Sequence, residues 1–276
     1  MSLFINTNSE ALIAQNNLSV TEGSLSTAMT DLSSGLRINT AADDAAGYSI
    51  SEDLTGQVNG LNQATSNAQD ATSLIQTADG SLNDVEQMLQ RMRELAVEYN
   101  GGTLDSADKD AIVSEVQQLA SEIDQIGVQA QFNGITLFQS ASLTFQVGAN
   151  DADTISVSLQ TLTGSSGILS AIDHLGTAGT FSLGQSGILA TIDGLINSVS
   201  RQASELGAVQ NRLSYTLDNL STYSENLSSA QSTIQDVDMA SEETEFTKDQ
   251  ILEQAGISML SQAEQNPQEI LKLIES

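Results

Sequence analysis

Only a few side chains here are of types that could do chemistry. His174 is the single histidine and lies in a polar stretch. The clustered carboxylates are Asp43-Asp44, Asp151 with Asp153, and Glu242-Glu243 with Glu245. A zinc protease helix needs two histidines one turn apart, which one histidine cannot supply. There is no cysteine. That removes His/Cys zinc sets, disulfides and thiol nucleophiles. No carboxylate group has the spacing of a calcium loop, so only weak calcium binding is open to them. No glycine-rich loop ending in lysine is present to cradle a phosphate. The expectation is no catalytic residue, no metal site, no cofactor and no enzyme.

Charge narrows the partners. The chain carries 36 acidic and 8 basic residues, a net charge of −28. Such a surface repels nucleic acid and anionic membranes, so neither is an expected partner. The acids are scattered between apolar positions, as on a solvated surface. They also suit high salt, where screening shortens self-repulsion to a few ångströms. Folding and assembly equally good in dilute buffer and in molar salt would remove that reading. No segment has the ~20 consecutive apolar residues that span a bilayer. The start MSLFINTNSE lacks the basic and apolar runs of a secretory signal. The expectation is a cytoplasmic chain, or one exported without a cleaved signal.

The elements that must carry these residues are long helices. One ladder of apolar residues runs Leu54, Leu61, Ala68, Ile75, Leu82, Leu89, Ala96. Gln57, Ala64, Ala71, Ala78, Val85, Met92 and Tyr99 follow its rungs at three residues. A second runs Ile192, Val199, Leu206, Leu213, Leu220, Leu227, Ile234. Its companions are Leu195, Gln202, Val209, Thr216, Tyr223 and Ala230. Two stripes at heptad spacing predict helices wound on one another. Each would span roughly 65 Å at 1.5 Å per residue. The single proline, Pro267, leaves nearly the whole chain free to be helical. Aromatics are 4 % and tryptophan is absent, which suits slender bundles better than a compact core.

Residues 8–34 read as an amphipathic helix, with Ala11, Leu18, Leu25 and Leu32 on one stripe and Ala14, Thr21 and Ala28 on the other. It is too weak to stand alone. Gly35 and residues 39–44 mark a break. The first long helix should end near Tyr99, with Asn100-Gly101-Gly102 supplying a left-handed turn. Asp105 or Ser106 caps a shorter helix bearing Ile112, Val116, Leu119, Ile123 and Ile126. Phe132-Asn133-Gly134 signals a turn. Residues 143–147 and 154–159 alternate as a β-hairpin with a six-residue loop. Residues 163–187, rich in Gly, Ser and Thr, read as an exposed loop. The second long helix spans about Gly187 to Asp236. Residues 237–244, with Asp238, Glu242 and Glu243, read as a connector. A C-terminal helix places Ile251, Leu252, Ala255, Met259, Leu260 and Ala263 on one broad face. Asn266-Pro267 reads as a fresh helix start. Both ends of the chain are amphipathic, which points to packing against other subunits.

Particular strings say more. INTN at 5–8, AQNNLS at 14–19, LSSGLRIN at 32–39 and DDAAG at 43–47 resemble the N-terminal region of bacterial flagellin. So do NAQDATSLIQTADGSL at 67–82, LQRMRELAVE at 89–98, EID at 122–124 and FNG at 132–134. LGAVQNRL at 206–213, ENLSSA at 225–230 and QILEQAGISMLSQAEQNPQEILKL at 250–273 resemble its C-terminal region. The resemblance covers nearly everything outside 135–187.

The resemblance implies a mainly α fold: long antiparallel coiled-coil helices, a small β-hairpin region, and paired N- and C-terminal helices. Residues 1–42 and 237–276 would form an inner coiled coil lining a filament channel. Residues 43–236 would form a rod-like helical domain, with its hairpin at about 140–160, a short variable loop at about 163–187, and no large outer domain. The implied function is a structural subunit that polymerises into the flagellar filament, a helical propeller for motility. Implied partners are further copies of itself, an export chaperone covering residues near 250–274, and the hook-associated and cap proteins. The implied location is the extracellular flagellum. The expected polymerisation interface is Leu18, Leu25, Leu32, Leu252, Met259 and Leu260. LQRMRELAVE also resembles the stretch read by a toll-like receptor, whose contacts would carry to Arg91, Leu95 and Glu115. Arg91 and Leu95 lie off the main stripes, so a neighbour or solvent should face them, and pairing with other subunits is the expected primary role of Arg91 and Glu115.

Two departures from the flagellin pattern matter. Asp31 stands where a basic residue is common, and Thr233 where arginine is common. Both reduce the ion pairs available between subunits. Two other readings share part of the pattern: a hook–filament junction protein and a non-flagellar coiled-coil scaffold. The INTN start, the LGAVQNRL string and the unequal apolar ends favour flagellin.

Overall fold

The computed structural model describes residues 8–139, 142–162, 183 and 187–275, with side chains to Gln265. His174 and the loop expected at 163–187 therefore lie almost wholly outside the described residues. The first helix, α1, is Ser9–Ser34. Asn8 caps it by accepting from the Ala11 N–H at 3.1 Å. Gly35, at φ 75°, closes it with its N–H on the Asp31 carbonyl, a left-handed position that glycine takes without steric cost. In the break that follows, the Asp43 carboxylate accepts from the Asn39 and Thr40 N–H groups at 3.0 and 2.8 Å. Those bonds, Thr40's first, hold its pKa below the usual carboxylate value.

Helix α2 is Ala45–Tyr99, about 80 Å long at 1.5 Å per residue. Asp44 accepts from the Ala46 and Gly47 N–H groups at its start. Gly47 is required there, because a Cβ would lie 2.7 Å from Ile38 Cδ1. The expected left-handed glycine at the far end is not what ends the helix, since neither Gly101 nor Gly102 has positive φ. Instead the Asn100 amide donates to the Ala96 carbonyl at 2.8 Å. Glycine serves at 101 because a Cβ would meet the Glu98 carbonyl oxygen at 2.9 Å.

Asp105 is the cap of α3, Ser106–Gln129, and accepts from the Asp108 N–H. Strands β1 (Gln131–Phe132) and β2 (Ile135–Thr136) form a small antiparallel hairpin where only a turn was expected. Asn133 and Gly134 both have positive φ, as the tight Asn-Gly hairpin turn demands. Strands β3 (Leu143–Gln146) and β4 (Thr154–Val157) pair antiparallel, with Gln146 opposite Thr154. Helix α4 is Ile188–Gln235 and α5 is Met239–Glu275.

Two expectations about α5 fail. The connector expected at 237–244 is mostly helix, because Asp238 caps α5 by accepting from the Ala240 and Ser241 N–H groups. Pro267 does not begin a new helix, for α5 runs through it. Proline's fixed φ is helical, and the helix forgoes one backbone hydrogen bond there.

The chain forms two compact units. One ends at Gly56 and resumes at Asn226, and the other is Gln57–Glu225. In the second unit the ladders are the core. Leu61 through Ala96 on α2 and Ile192 through Leu220 on α4 are buried at every rung. The two helices run antiparallel: Arg93 Nε bonds Asp193 Oδ1 at 2.6 Å, while Ser224 lies 3.5 Å from Asn62. Helix α3 lies antiparallel along α2, tied by Arg91 to Glu115 at 2.9 Å and by Lys109 over the Tyr99 ring. Of the rungs nearer the chain ends, Leu54, Leu227 and Ile234 are half-buried, while Gln57, Tyr223 and Ala230 are exposed.

Gln202 is the buried polar rung of the second ladder. Its amide donates to the Ser158 carbonyl at 3.0 Å and its Oε1 accepts from the Gln160 N–H at 3.2 Å. The helix thereby holds the segment that leaves β4. Gln202→Leu would leave those backbone groups unpaired, at a cost of roughly 1–3 kcal/mol. Urea unfolding should show that loss, and a variant at least as stable as the parent would contradict this role.

Candidate polymerisation surface

In the unit that contains both chain ends, α1 and α5 run antiparallel. The Asn8 amide donates to the Ala263 carbonyl at 2.7 Å. Near the middle, a Cβ on Gly256 would meet Leu18 Cδ1 at 3.3 Å. A short bridge ties the other end, with Arg37 N–H on the Gln235 carbonyl and Val237 N–H on the Gly35 carbonyl. The Arg37 guanidinium adds a 2.6 Å bond to the Ile234 carbonyl. Among the described residues these two helices pack their backbones closest.

Their seam explains the close approach. On α1 the inward residues are Ala11, Ala14, Leu18, Thr21, Leu25, Ala28 and Leu32. On α5 they are Glu242, Phe246, Asp249, Glu253, Gly256, Leu260 and Ala263. Alanine and glycine let the axes come together but bury little apolar area, and burial scales with area.

The larger apolar side chains point elsewhere. Leu12, Ile13, Val20 and Met29 on α1 are exposed, as are Ile251, Leu252, Ile257 and Met259 on α5. A groove of about 590 Å³ runs along the pair, with Ile13, Leu18, Leu252 and Met259 among its lining. Large apolar side chains grouped on one helix pair make this surface the candidate for an interaction site.

The six expected interface residues therefore divide. Leu18, Leu25, Leu32 and Leu260 are half-buried on the seam within one chain. Leu252 and Met259 are 47 % and 64 % exposed. The broad single face expected on α5 is two faces, because Ile251, Leu252 and Met259 turn away from Leu260 and Ala263. Leu12, Ile13, Val20, Met29 and Ile257, outside the expected set, are exposed as well, as is Ile251 of the expected α5 face. Their signal was available: they lie between the heptad stripes rather than on them.

The acidic seam residues are electrostatically opposed. Glu242 has a raised pKa, first from desolvation and then from the charges of Asp31, Glu245 and Asp249. Lys248 bonds Glu245 at 2.6 Å and does not pair with Glu242. Asp31 accepts instead from the Asn39 amide at 2.7 Å. Asp31 thus adds a further carboxylate to the neighbourhood of Glu242, beside Glu245 and Asp249. Thr233 bonds back to its own helix at the Ser229 carbonyl.

Away from this surface, Arg91 bonds Glu115 and Glu94 of its own chain. Hydrogen bonding to Glu115 is the main reason its pKa is raised. Leu95 was expected to face a neighbour or solvent, but it is buried, 2 % exposed. Helix α3 is fastened to α2 on both sides of it, at Arg91 and Tyr99, so α2 buries more than its two ladder stripes. Among the described residues no cluster of three or more His, Asp or Glu is placed to hold a metal.

Comparison with known proteins gives one family. Residues 5–142 match the bacterial flagellin N-terminal helical region, and residues 189–274 match the bacterial flagellin C-terminal helical region. Flagellin of Bacillus subtilis (strain 168) is 43 % identical over 301 aligned residues, covering 98 % of this chain and 99 % of that protein. Flagellin of Halalkalibacterium halodurans is 44 % identical over 277 residues, covering 99 % of this chain and 100 % of that protein. The crystal structure of Bacillus cereus flagellin is 26 % identical, with a TM-score of 0.48 over 56 % of this chain and 88 % of its own.

The Glu242 surroundings give a signed pH effect. A carboxyl whose folded pKa is raised binds its proton more tightly in the folded state. Its contribution therefore improves as pH falls from neutral through that raised value, and levels off below the ordinary 4.5. Glu242→Gln should raise the thermal stability of the α1–α5 pair at pH 7 and flatten its rise on mild acidification. Asp31→Lys should do the same by supplying an opposite charge. Circular dichroism melts at pH 7 and pH 5 read both effects. Unchanged melting in both variants would show that the carboxylates do not oppose one another.

Proposed function

Because this chain belongs to the bacterial flagellin family and is a structural subunit of the flagellar filament, we propose that it polymerises through the outer apolar faces of α1 and α5. The observation that carries this reading is the set of large apolar side chains left exposed on the two helices that pack by alanine and glycine. A pair that buries little of its own apolar surface gains most by stacking on other pairs. Leu252 and Met259 are then direct contacts between copies. Leu18, Leu25, Leu32 and Leu260 act one step back, by setting the seam that presents those faces.

In the domain reading, residues 1–42 and 237–276 line the filament channel and residues 43–236 form the outer rod. Apolar residues of α5 near 250–265 are the surface that an export chaperone would cover, with the cover extending to about residue 274. Export would proceed unfolded and without signal cleavage, followed by addition at a capped tip beyond hook-associated proteins. The weakness of α1 as a lone helix suits that route, because a segment that buries little alone stays unfolded until a partner supplies area. The half-exposed Arg91–Glu115 pair is the part of the receptor-like stretch open to a toll-like receptor, while Leu95 would contribute by packing.

Seeded polymerisation followed by electron microscopy tests the surface. Met259→Asp should leave the helicity of the free subunit unchanged and abolish growth from seeds. Leu25→Asp should lower helicity in the free subunit as well, since it breaks the seam itself. Filaments formed by Met259→Asp at the native rate would refute the assignment of that face.

A further inference from the structure

A second groove, of about 790 Å³, lies in the Gln57–Glu225 unit between the β3–β4 loop and the helices α2 and α4. The loop is seated firmly. Asn67 donates to the Gln146 carbonyl at 3.2 Å, and a Cβ on Gly60 would be 3.1 Å from Ala149 Cβ. From α4, Arg212, Tyr215, Asn219 and Tyr223 line the groove. Their three- and four-residue spacing keeps them along one side of the helix. Tyr215 is 76 % exposed and Tyr223 47 %.

Arg212 stands out in a chain with so few cations. Among the described residues Arg91, Arg93 and Lys248 are in ion pairs. Arg37 is spent on the Ile234 carbonyl and Lys109 lies over Tyr99. Arg212 and Arg201 are both exposed and in no ion pair among the described residues, but Arg201 shares its groove with Glu205 one turn on, whereas no acidic residue of α4 lines the groove at Arg212. Asp153, on the opposite wall, is not within ion-pair distance, and its Oδ2 accepts from the Asn150 N–H and amide. Arginine and tyrosine are the residues that carry most energy at the centres of interfaces.

We propose that this groove docks a second copy of the chain, with Arg212 taking one of that copy's carboxylates beside Tyr215, and Tyr223 packing further along the same helix face. This rests on the filament reading. Charge complementarity selects the occupant. Copies bearing a net charge of −28 repel one another, and a cation in no ion pair among the described residues, with Tyr215 one turn along its helix, is the complement of an acid-rich neighbour. The contact both offsets repulsion and fixes orientation.

Two experiments decide it. In dilute buffer, Arg212→Glu should raise the critical concentration for growth on seeds at least tenfold, with the helicity and melting of the free subunit unchanged. Arg212→Gln should fall between the two, which keeps the test open if the glutamate variant misfolds. Second, Arg212→Lys filaments grown from mixed light and isotopically heavy copies are treated with a carbodiimide, which joins an amine to a carboxylate in contact. Mass spectrometry should find a light–heavy link from position 212 to an Asp or Glu. A native critical concentration in Arg212→Glu, or only within-copy linkage to Asp153, overturns the proposal while leaving the filament reading intact. If the parent chain itself fails to grow on seeds, the filament reading falls first and takes this contact with it.

Discussion

A helix can bury only the stripe it turns toward a partner, and α1 and α5 carry apolar residues on more sides than one. Their mutual seam is taken by alanine, glycine and a few leucines, with carboxylates at one end. Close approach of the two backbones follows from the small residues, and poor apolar burial follows from the same cause. Everything else about assembly depends on this. Side chains such as Met259, Ile251, Ile13 and Val20 stay in solvent because no position on the seam remains for them. In the other unit the balance is reversed. Leucine, isoleucine, valine and methionine alternate with alanine along the ladders of α2, leucine, isoleucine and valine line α4, and α3 covers a further strip of α2, so that these side chains are buried within one chain.

The acidic surface places the few cations under strong selection by geometry. Most are consumed inside the chain, as with Arg93 on Asp193 and Arg91 on Glu115. At Asp31 a carboxylate meets the neighbourhood of Glu242, so the end pair is held with a built-in electrostatic opposition. Salt and protons both relieve such opposition, the first by screening and the second by neutralising Glu242. A sequence with so little positive charge has few cations to offer for ion pairs between copies, which is why the assembly proposed above rests mainly on apolar contact.

The ladders were readable because a period of three and four survives any detail of packing. Leu61 to Ala96 and Ile192 to Leu220 are buried as their spacing requires. The break at Gly35, the cap at Asp105 and the hairpin at 143–157 were legible for similar local reasons. Leu95 was misread because a two-stripe pattern assumes one partner, while α2 has two. The stripes of α1 were legible, and its inward residues are those at heptad spacing; on α5 a single broad face was expected where the apolar residues divide between two faces. With Gly256 and Ala263 among its inward residues, α5 approaches α1 closely and leaves Ile251, Leu252 and Met259 on the other face. Pro267 and residues 237–244 were misjudged from local propensity, which continuous helix formation overrode. Which of the exposed residues meet another copy is a property of the assembly, and spacing within one chain does not encode it directly.

The central claim is that the subunit is held by α2, α3 and α4, whereas α1 and α5 are completed only by neighbouring copies. Amide hydrogen exchange on free subunits and on seeded filaments measures this directly. The account predicts that amides in 61–96 and 192–220 are protected equally in both states. Amides in 9–34 and 239–263 should exchange faster than those of the ladders in the free subunit, as in a marginally stable helix pair, and slow by orders of magnitude in the filament. Equal protection of the end helices in both states would contradict it.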